Sequence, residues 1–157
     1  MIQKEKVAIL PFEPKYAKDF ARLNVEWLEK YFVVEPHDAE LLEACEETII
    51  GQGGYIFFAK VESEVAGTFS LIKIEEGIYE LGKMAVSPEY QGFKIGQQLM
   101  RFCIDFSREQ SWSKLILYSN TILENAIYIY KKFGFIEIES EANPPYQRSN
   151  IKMELVL

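Results

Sequence analysis

The chain is poor in the residues that build metal centres and disulfide frameworks, with two cysteines, Cys45 and Cys103, and one histidine, His37, among 157 residues. Neither cysteine has a Cys or His neighbour at ligand spacing, so a zinc site or a metal-dependent hydrolase would have little beyond carboxylates to draw on. No apolar run approaches the roughly 18 residues of a membrane-spanning helix. The start, Met1-Ile2-Gln3-Lys4-Glu5-Lys6, is not followed by a signal-type apolar region. The expectation is a cytoplasmic protein with two free thiols, no metal and no membrane partner. Basic residues are also in deficit: 17 Lys and Arg stand against 24 Asp and Glu, a formal charge of −7. That balance argues against nucleic acid as a partner, because neutralising a phosphate backbone takes a concentrated basic surface. A local anion site made of backbone N–H groups escapes the argument. The chain shows no repeat, low-complexity tract or linker, and its length suits one domain, 1–157.

What is present is the composition of a globular core, 48% hydrophobic and 26% charged. Val7-Ala8-Ile9-Leu10 reads as a short strand ended by Pro11. Tyr16, Phe20, Leu23, Trp27 and Tyr31 recur at helical spacing. A second helix is expected over Pro36 to Thr48, with Leu41, Leu42 and Cys45 inward and Glu40, Glu43, Glu46 and Glu47 outward. Tyr55 to Val61, Val65 to Ile74 and Ile78 to Val86 read as three strands joined by short turns, hence an antiparallel meander. Ile95, Leu99, Phe102, Cys103 and Phe106 mark a third helix. Lys114 to Tyr118 reads as a buried strand, and Ala126, Ile129, Tyr130 and Phe133 as a fourth helix stopped by Gly134. Phe135 to Glu139 and Ile151 to Val156 close the order as a strand pair. The pattern β-α-α-β-β-β-α-β-α-β-β describes one α/β domain, a mixed sheet with helices on both faces.

The stretch from Tyr79 to Phe135 carries the chemistry. A strand, Tyr79 to Val86, enters Ser87-Pro88-Glu89-Tyr90 and then Gln91-Gly92-Phe93-Lys94-Ile95-Gly96-Gln97-Gln98, which opens a helix. Unpaired N–H groups at such a helix start, with the helix dipole, can bind an anion, although glycines there also simply shape turns. Neither Gly-x-x-x-x-Gly-Lys-Ser/Thr nor a Gly-x-Gly-x-x-Gly after the first strand is present.

Two elements in order, Gln91-Gly92-Phe93-Lys94-Ile95-Gly96 and Tyr130-Lys131-Lys132-Phe133-Gly134-Phe135, with Asn120 closing the strand between them, resemble the GCN5-related N-acetyltransferase (GNAT) superfamily. Lys94 departs from the pattern, which prefers glycine at that place. The resemblance implies a mostly antiparallel twisted sheet of about seven strands flanked by about four helices, and transfer of an acetyl group from acetyl-CoA to a primary amine by direct attack on the thioester. It implies that the pyrophosphate of coenzyme A lies on the backbone of Gln91, Gly92, Phe93, Lys94, Ile95, Gly96 and Gln97. The pantetheine arm would pair with the backbone of Met84, Ala85 and Val86, and Asn120 and Asn125 would hold the cofactor further along. By their own residue types those two asparagines read as a strand-end turn and a helix-start residue.

Acyl transfer to an amine needs a base, an oxyanion donor and a proton for the leaving thiolate. Tyr130, a phenol of reference pKa roughly 10, can protonate a thiolate resembling cysteine at roughly 8.5; its other reading is a core aromatic. Glu80 is the candidate base, its other reading a solvated glutamate, with an ordered water as a substitute for it. Alternation puts Glu80, Gly82 and Met84 on one face unless a bulge intervenes. From Glu35 to Glu47 there are six acidic residues and no Lys or Arg. Glu35, Asp38, Glu40, Glu43, Glu46 and Glu47 would form either an acidic rim attracting a cationic amine or a solvated helix face. Tyr146 and Arg148, before the last strand, would contact the acceptor or secure their loop, and His37 reads as a helix-start residue. The acceptor is a small-molecule or peptide amine, and a homodimer is left open. The alternative function is a non-catalytic acyl-CoA sensor or protein-interaction module on the same fold.

Overall fold

Apolar alternation along the strands separates two cores, one on each face of a single sheet. In β2 (Tyr55–Val61) Ile56 and Phe58 join one buried cluster, and Phe57, Ala59 and Val61 join the other, as a period of two requires. The structure, a computed structural model, describes residues 7–90 and 92–157. Around β2 lie β1 (Val7–Pro11), β3 (Glu64–Glu75), β4 (Ile78–Val86), β5 (Lys114–Ser119), β6 (Ile136–Ile138) and β7 (Ile151–Val156). They form a seven-stranded sheet in the order β1-β2-β3-β4-β5-β7-β6. Every neighbouring pair is antiparallel except β4 and β5.

The helices are α1 (Ala17–Tyr31), α2 (Pro36–Glu43), α3 (Cys45–Thr48), α4 (Ile95–Glu109) and α5 (Glu124–Lys132). Phe20, Leu28, Leu41, Leu42 and Cys45 of α1 to α3 pack with Ile56 and Phe58 on one face. Ile95, Leu99, Met100 and Cys103 of α4 pack on the other, where α5 adds Tyr130 at the margin. The β4–α4–β5 crossover makes the parallel pair, since parallel neighbours need a connection that returns over the sheet.

Three local expectations change. The second helix is two helices, because Ala44 leaves helical geometry at φ −129°, ψ 45°. The described residues therefore hold five α-helices, the split of the second accounting for the fifth. On α1 the inward residues are Phe20, Leu23, Asn24 and Leu28, whereas Tyr31 is exposed. The final strand pair is shorter on its first side, Ile136–Ile138.

The Tyr130-to-Phe135 pattern has a local cause. Gly134 takes φ +103°, and the chain beyond it folds back so that Phe135 N–H donates to the Tyr130 carbonyl at 3.0 Å and Gly134 N–H to that of Lys131 at 3.0 Å. This is a Schellman stop, which also brings the two flanking apolar residues together; the Tyr130 and Phe135 rings lie 6.0 Å apart.

Candidate active site

β4 and β5 are paired only from Ile78 to Glu80, opposite Lys114 to Ile116. Beyond that they diverge, and the edge of β4 that faced β5 is left open while its other edge stays on β3. The opening is widened by a bulge: three steps along β4, from Gly82 to Ala85, oppose two along β3, from Ser70 to Thr68. Lys83 sits within it at φ +52°, so the alternation expected for Glu80, Gly82 and Met84 does not continue through Lys83.

A cavity of about 280 Å³ occupies the gap. Because α1 and α4 lie on opposite faces of the sheet, the cavity passes from one face to the other. Its α4 and α5 end is bounded by Gly96, Met100, Asn125, Ala126 and Tyr130, and its α1 end by Asn24, Trp27, Leu28, Phe32, Tyr146 and Arg148. Between them runs the backbone of Leu81 to Val86, with Tyr118, Ser119 and Asn120 of the β5 side opposite.

At the α4 end the first helical backbone bond runs from Gln98 N–H to the Lys94 carbonyl, 3.0 Å. The N–H groups of Ile95, Gly96 and Gln97 therefore lack intrahelical partners. Gly96 forms part of the cavity wall, whereas Ile95 turns its side chain into the core. Lys94 takes the left-handed conformation, φ +58°, ψ 30°, the one in which glycine is least strained, which accounts for the residue the pattern prefers there. Gly92, at φ +95°, and Phe93, whose ring lies 5.8 Å from that of Tyr90, precede it. The Gln97 side chain accepts from Lys132 Nζ at 3.2 Å. Gln91, also expected here, lies outside the described residues.

Tyr130 lines the cavity, and burial pushes its phenol up, the neighbouring Ser119 hydroxyl offsetting part of the shift. Glu80 is 5% exposed and does not itself line the cavity. Burial raises its carboxyl above the usual carboxylate range, opposed by the hydrogen bond that the Tyr146 hydroxyl donates to Oε2 at 3.0 Å. The solvated-glutamate reading is thus corrected. Gly82 lines the cavity, and a Cβ there would lie 3.4 Å from Glu80 Oε2, so the carboxylate adjoins a wall residue that has no side chain to screen it.

The acidic stretch also needs correcting. Asp38 has no exposed side-chain surface. Its Oδ1 accepts from Lys83 Nζ at 2.6 Å and Arg148 Nη2 at 2.9 Å, and its Oδ2 from Arg148 Nη1 at 2.6 Å and Glu35 N–H at 2.9 Å. These donors hold Asp38 at about 2, against the burial that would raise it. Glu35, capping α2, accepts from Gln147 N–H at 2.8 Å and Arg148 N–H at 3.1 Å. Two of the six acidic residues are therefore spent on buried cations, and Glu40, Glu43, Glu46 and Glu47 are exposed and off the cavity wall.

Tyr146 lies between the cations of this cluster, with Lys83 Nζ 4.4 Å and Arg148 Cζ 4.6 Å from its ring centre. Arg148 and Tyr146 secure their loop and border the cavity at once. His37, in the first turn of α2, places its ring 5.2 Å from that of Tyr146. Asn120 is committed within the protein, donating to the Arg148 carbonyl at 2.7 Å and accepting from Ile122 N–H at 2.9 Å. Asn125, by contrast, is exposed on the first turn of α5.

Among the cavity residues that the sequence reading did not assign to the site are Asn24, Leu28, Phe32 and Lys83. Asn24 had a signal: it stands four residues from Phe20 and four from Leu28 on the apolar face of α1, and a polar residue at an inward position is informative. Lys83 had none, because only the bulge turns it toward Asp38.

The acetyltransferase (GNAT) family profile matches residues 21–135. The spermidine N(1)-acetyltransferase of Escherichia coli K12 is 29% identical over 117 residues, 71% of this chain and 62% of that protein. An uncharacterized N-acetyltransferase of Dictyostelium discoideum is 39% identical over 62 residues, 40% of this chain and 29% of that protein. The matches thus span less than two thirds of either relative. Among solved structures, a GNAT-family acetyltransferase of Staphylococcus aureus superposes with a TM-score of 0.83 at 22% identity, covering 95% of this chain and 98% of that one. The PaiA N-acetyltransferase of Thermoplasma acidophilum, solved in complex with coenzyme A, gives 0.75 at 18% identity, covering 97% and 99%.

Proposed function

Because the chain belongs to the acetyltransferase (GNAT) family, we propose that it transfers an acetyl group from acetyl-CoA to a primary amine by direct attack on the thioester. The observation that carries this reading is the parting of β4 from β5 after Glu80, which opens a through-sheet cavity beside an unpaired strand edge. An amide-bearing arm fits there as an added strand, on the backbone of Met84, Ala85 and Val86. At the α4 end, the N–H groups of Ile95, Gly96 and Gln97, with Gly92, Phe93 and Lys94 leading into them, suit a pyrophosphate without basic side chains. Ordinary contact is all that a Cβ at Gly96 would meet, with Val86 Cγ2 at 4.0 Å, so the space beside that residue is free for a ligand.

When bound, acetyl-CoA supplies an acetyl group activated as a thioester. The chain's residues do the rest. An amine arriving as an ammonium must lose a proton before its lone pair can form the new N–C bond. Glu80, raised by burial and reached past Gly82 through a bridging water, is suited to receive that proton. A backbone N–H near Met84 to Val86 would hold the developing oxyanion. As the C–S bond breaks, Tyr130 would give its proton to the sulfur and be refilled, through solvent, by the second proton that the nitrogen sheds on becoming an amide; burial keeps the phenol protonated until then. Asn125, on the cavity wall, would touch the cofactor, and Asn120 would shape the turn beside it.

The test is a thermal shift followed by thiol release. A ligand at 100 times its Kd stabilises by about 2.7 kcal/mol, which for a domain of this size is roughly 5–10 °C in Tm. No shift at millimolar acetyl-CoA overturns the cofactor reading. A shift without thiol release across a panel of polyamines, amino acids, aminoglycosides, aromatic amines and peptide N-termini points instead to a sensor.

A further inference from the structure

We infer that the acceptor is a monoamine carried on an aromatic or large apolar body, held between Trp27, Phe32 and Tyr146, with its nitrogen received by Asn24. The inference rests on the acetyl-transfer reading for the direction of attack but not for the binding itself.

The α1 end of the cavity has a definite chemistry. Trp27 and Phe32 pack with ring centres 5.8 Å apart, and Leu28 and Tyr146 complete an apolar wall. Tyr31 and Val33, beside them in sequence, are exposed at 41% and 69%, so the apolar surface continues outward. Among the described residues no aspartate or glutamate lines the cavity. The charges nearest this end are matched already, Lys83 and Arg148 by Asp38 and Glu35. With Glu80 given to the reacting nitrogen, a second ammonium on the acceptor would be taken from water with no carboxylate on the wall to meet it, which is strongly unfavourable. A single amine nitrogen does find a partner. Asn24, 2% exposed, donates through Nδ2 to the Phe20 carbonyl at 3.0 Å. That bond leaves its side-chain oxygen as the group able to accept an N–H from the cavity. The exposed Glu40, Glu43, Glu46 and Glu47 lie off the wall, so the acidity of α2 and α3 does not select for polyamines.

The experiment compares 2-phenylethylamine with spermidine on the whole chain, by thiol release with acetyl-CoA and by calorimetry with coenzyme A, which binds without reacting. The expected result is a kcat/KM at least about tenfold higher for 2-phenylethylamine. Calorimetry should show saturable binding of that amine and none of spermidine in the same range. Trp27→Ala, checked for an unchanged cofactor-induced Tm shift, should raise KM for the aromatic amine about tenfold with kcat little changed. Asn24→Leu should weaken binding of 2-phenylethylamine without altering that of coenzyme A. Equal or better use of spermidine overturns the inference, as does calorimetry with no binding of the aromatic amine. If the aromatic amine binds and neither it nor spermidine is acetylated, the amine site stands and the acetyl-transfer reading falls.

Discussion

Replacing Asp38 by Asn keeps the shape of the side chain and removes the charge that holds two buried cations. Asp38 is lowered from 3.8 to about 2, which at 1.36 kcal/mol per unit is on the order of 2 kcal/mol in favour of its ionised form in the fold. Since the folded value is the lower one, this contribution is complete above about pH 5 and is lost as the pH falls through 3.8 toward 2. Lys83 works the other way: burial lowers its ammonium below the usual lysine value despite Asp38, so the intact pair contributes less than the aspartate alone suggests. Removing the aspartate is another matter, because Arg148 then keeps Glu35, while Lys83, 4% exposed, is left with no ion pair and only the longer-range attraction of Glu80. Breaking a buried pair on one side costs about 3–5 kcal/mol, or roughly 6–20 °C in Tm for a domain of this size. Urea unfolding at pH 7 measures the loss. Adding Lys83→Met to Asp38→Asn should recover part of it, and between about pH 4 and 2 the wild type should lose more stability than Asp38→Asn. The loop carrying Tyr146 is tied to α2 through Arg148, so KM for the amine should rise while coenzyme A binding holds. A loss under about 1 kcal/mol, the size of a surface pair, would refute the reasoning, since it would mean that water reaches the cluster.

Four further outcomes are expected. Tyr130→Phe should lower kcat by about 10²-fold, the usual contribution of a general acid, with an unchanged acetyl-CoA thermal shift; equal turnover would remove the proton-donor role. In the wild type kcat/KM should fall as the pH drops through a group above the ordinary carboxylate range, because burial raises Glu80 and the base must be ionised. Glu80→Gln should abolish that limb, and its persistence would assign it elsewhere. Lys94→Gly should raise stability by about 0.5–1 kcal/mol in urea unfolding, by relieving a left-handed residue at φ +58°. Cys45 and Cys103 are both buried and their thiols pushed up by burial, so a thiol reagent should label the native protein slowly and in step with unfolding.

The sheet, its order along the chain and the α4 and α5 signatures were legible in the sequence because they follow from local rules. Alternation in Tyr55–Val61 sorts residues onto two faces, and Tyr130, Gly134 and Phe135 occupy the three places that a helix stop demands. Glycine at the place of Lys94 is preferred for an equally local reason, a positive φ. Periodicity also placed Leu41, Leu42 and Cys45 inward and Glu40, Glu43, Glu46 and Glu47 outward, though it missed the break at Ala44, where each half of the pattern still reads as helix.

The chain's charge, its scarcity of metal ligands and its helix-start loop were thus determined by sequence alone, since each depends on residues near one another in the chain. The character of the acceptor end was decided by tertiary structure. Asp38 and Lys83 are 45 residues apart and Asp38 and Arg148 110 apart, and only the packing of α2 against the bulged β4 and the final loop brings them into one ion cluster. The same packing withdraws Glu35 and Asp38 from any acidic rim, buries Glu80 beside Gly82 and leaves Asn24, Trp27 and Phe32 on the cavity wall. A carboxylate attracts a cation only while it is unpaired, and whether it is paired depends on contacts that a linear sequence does not record.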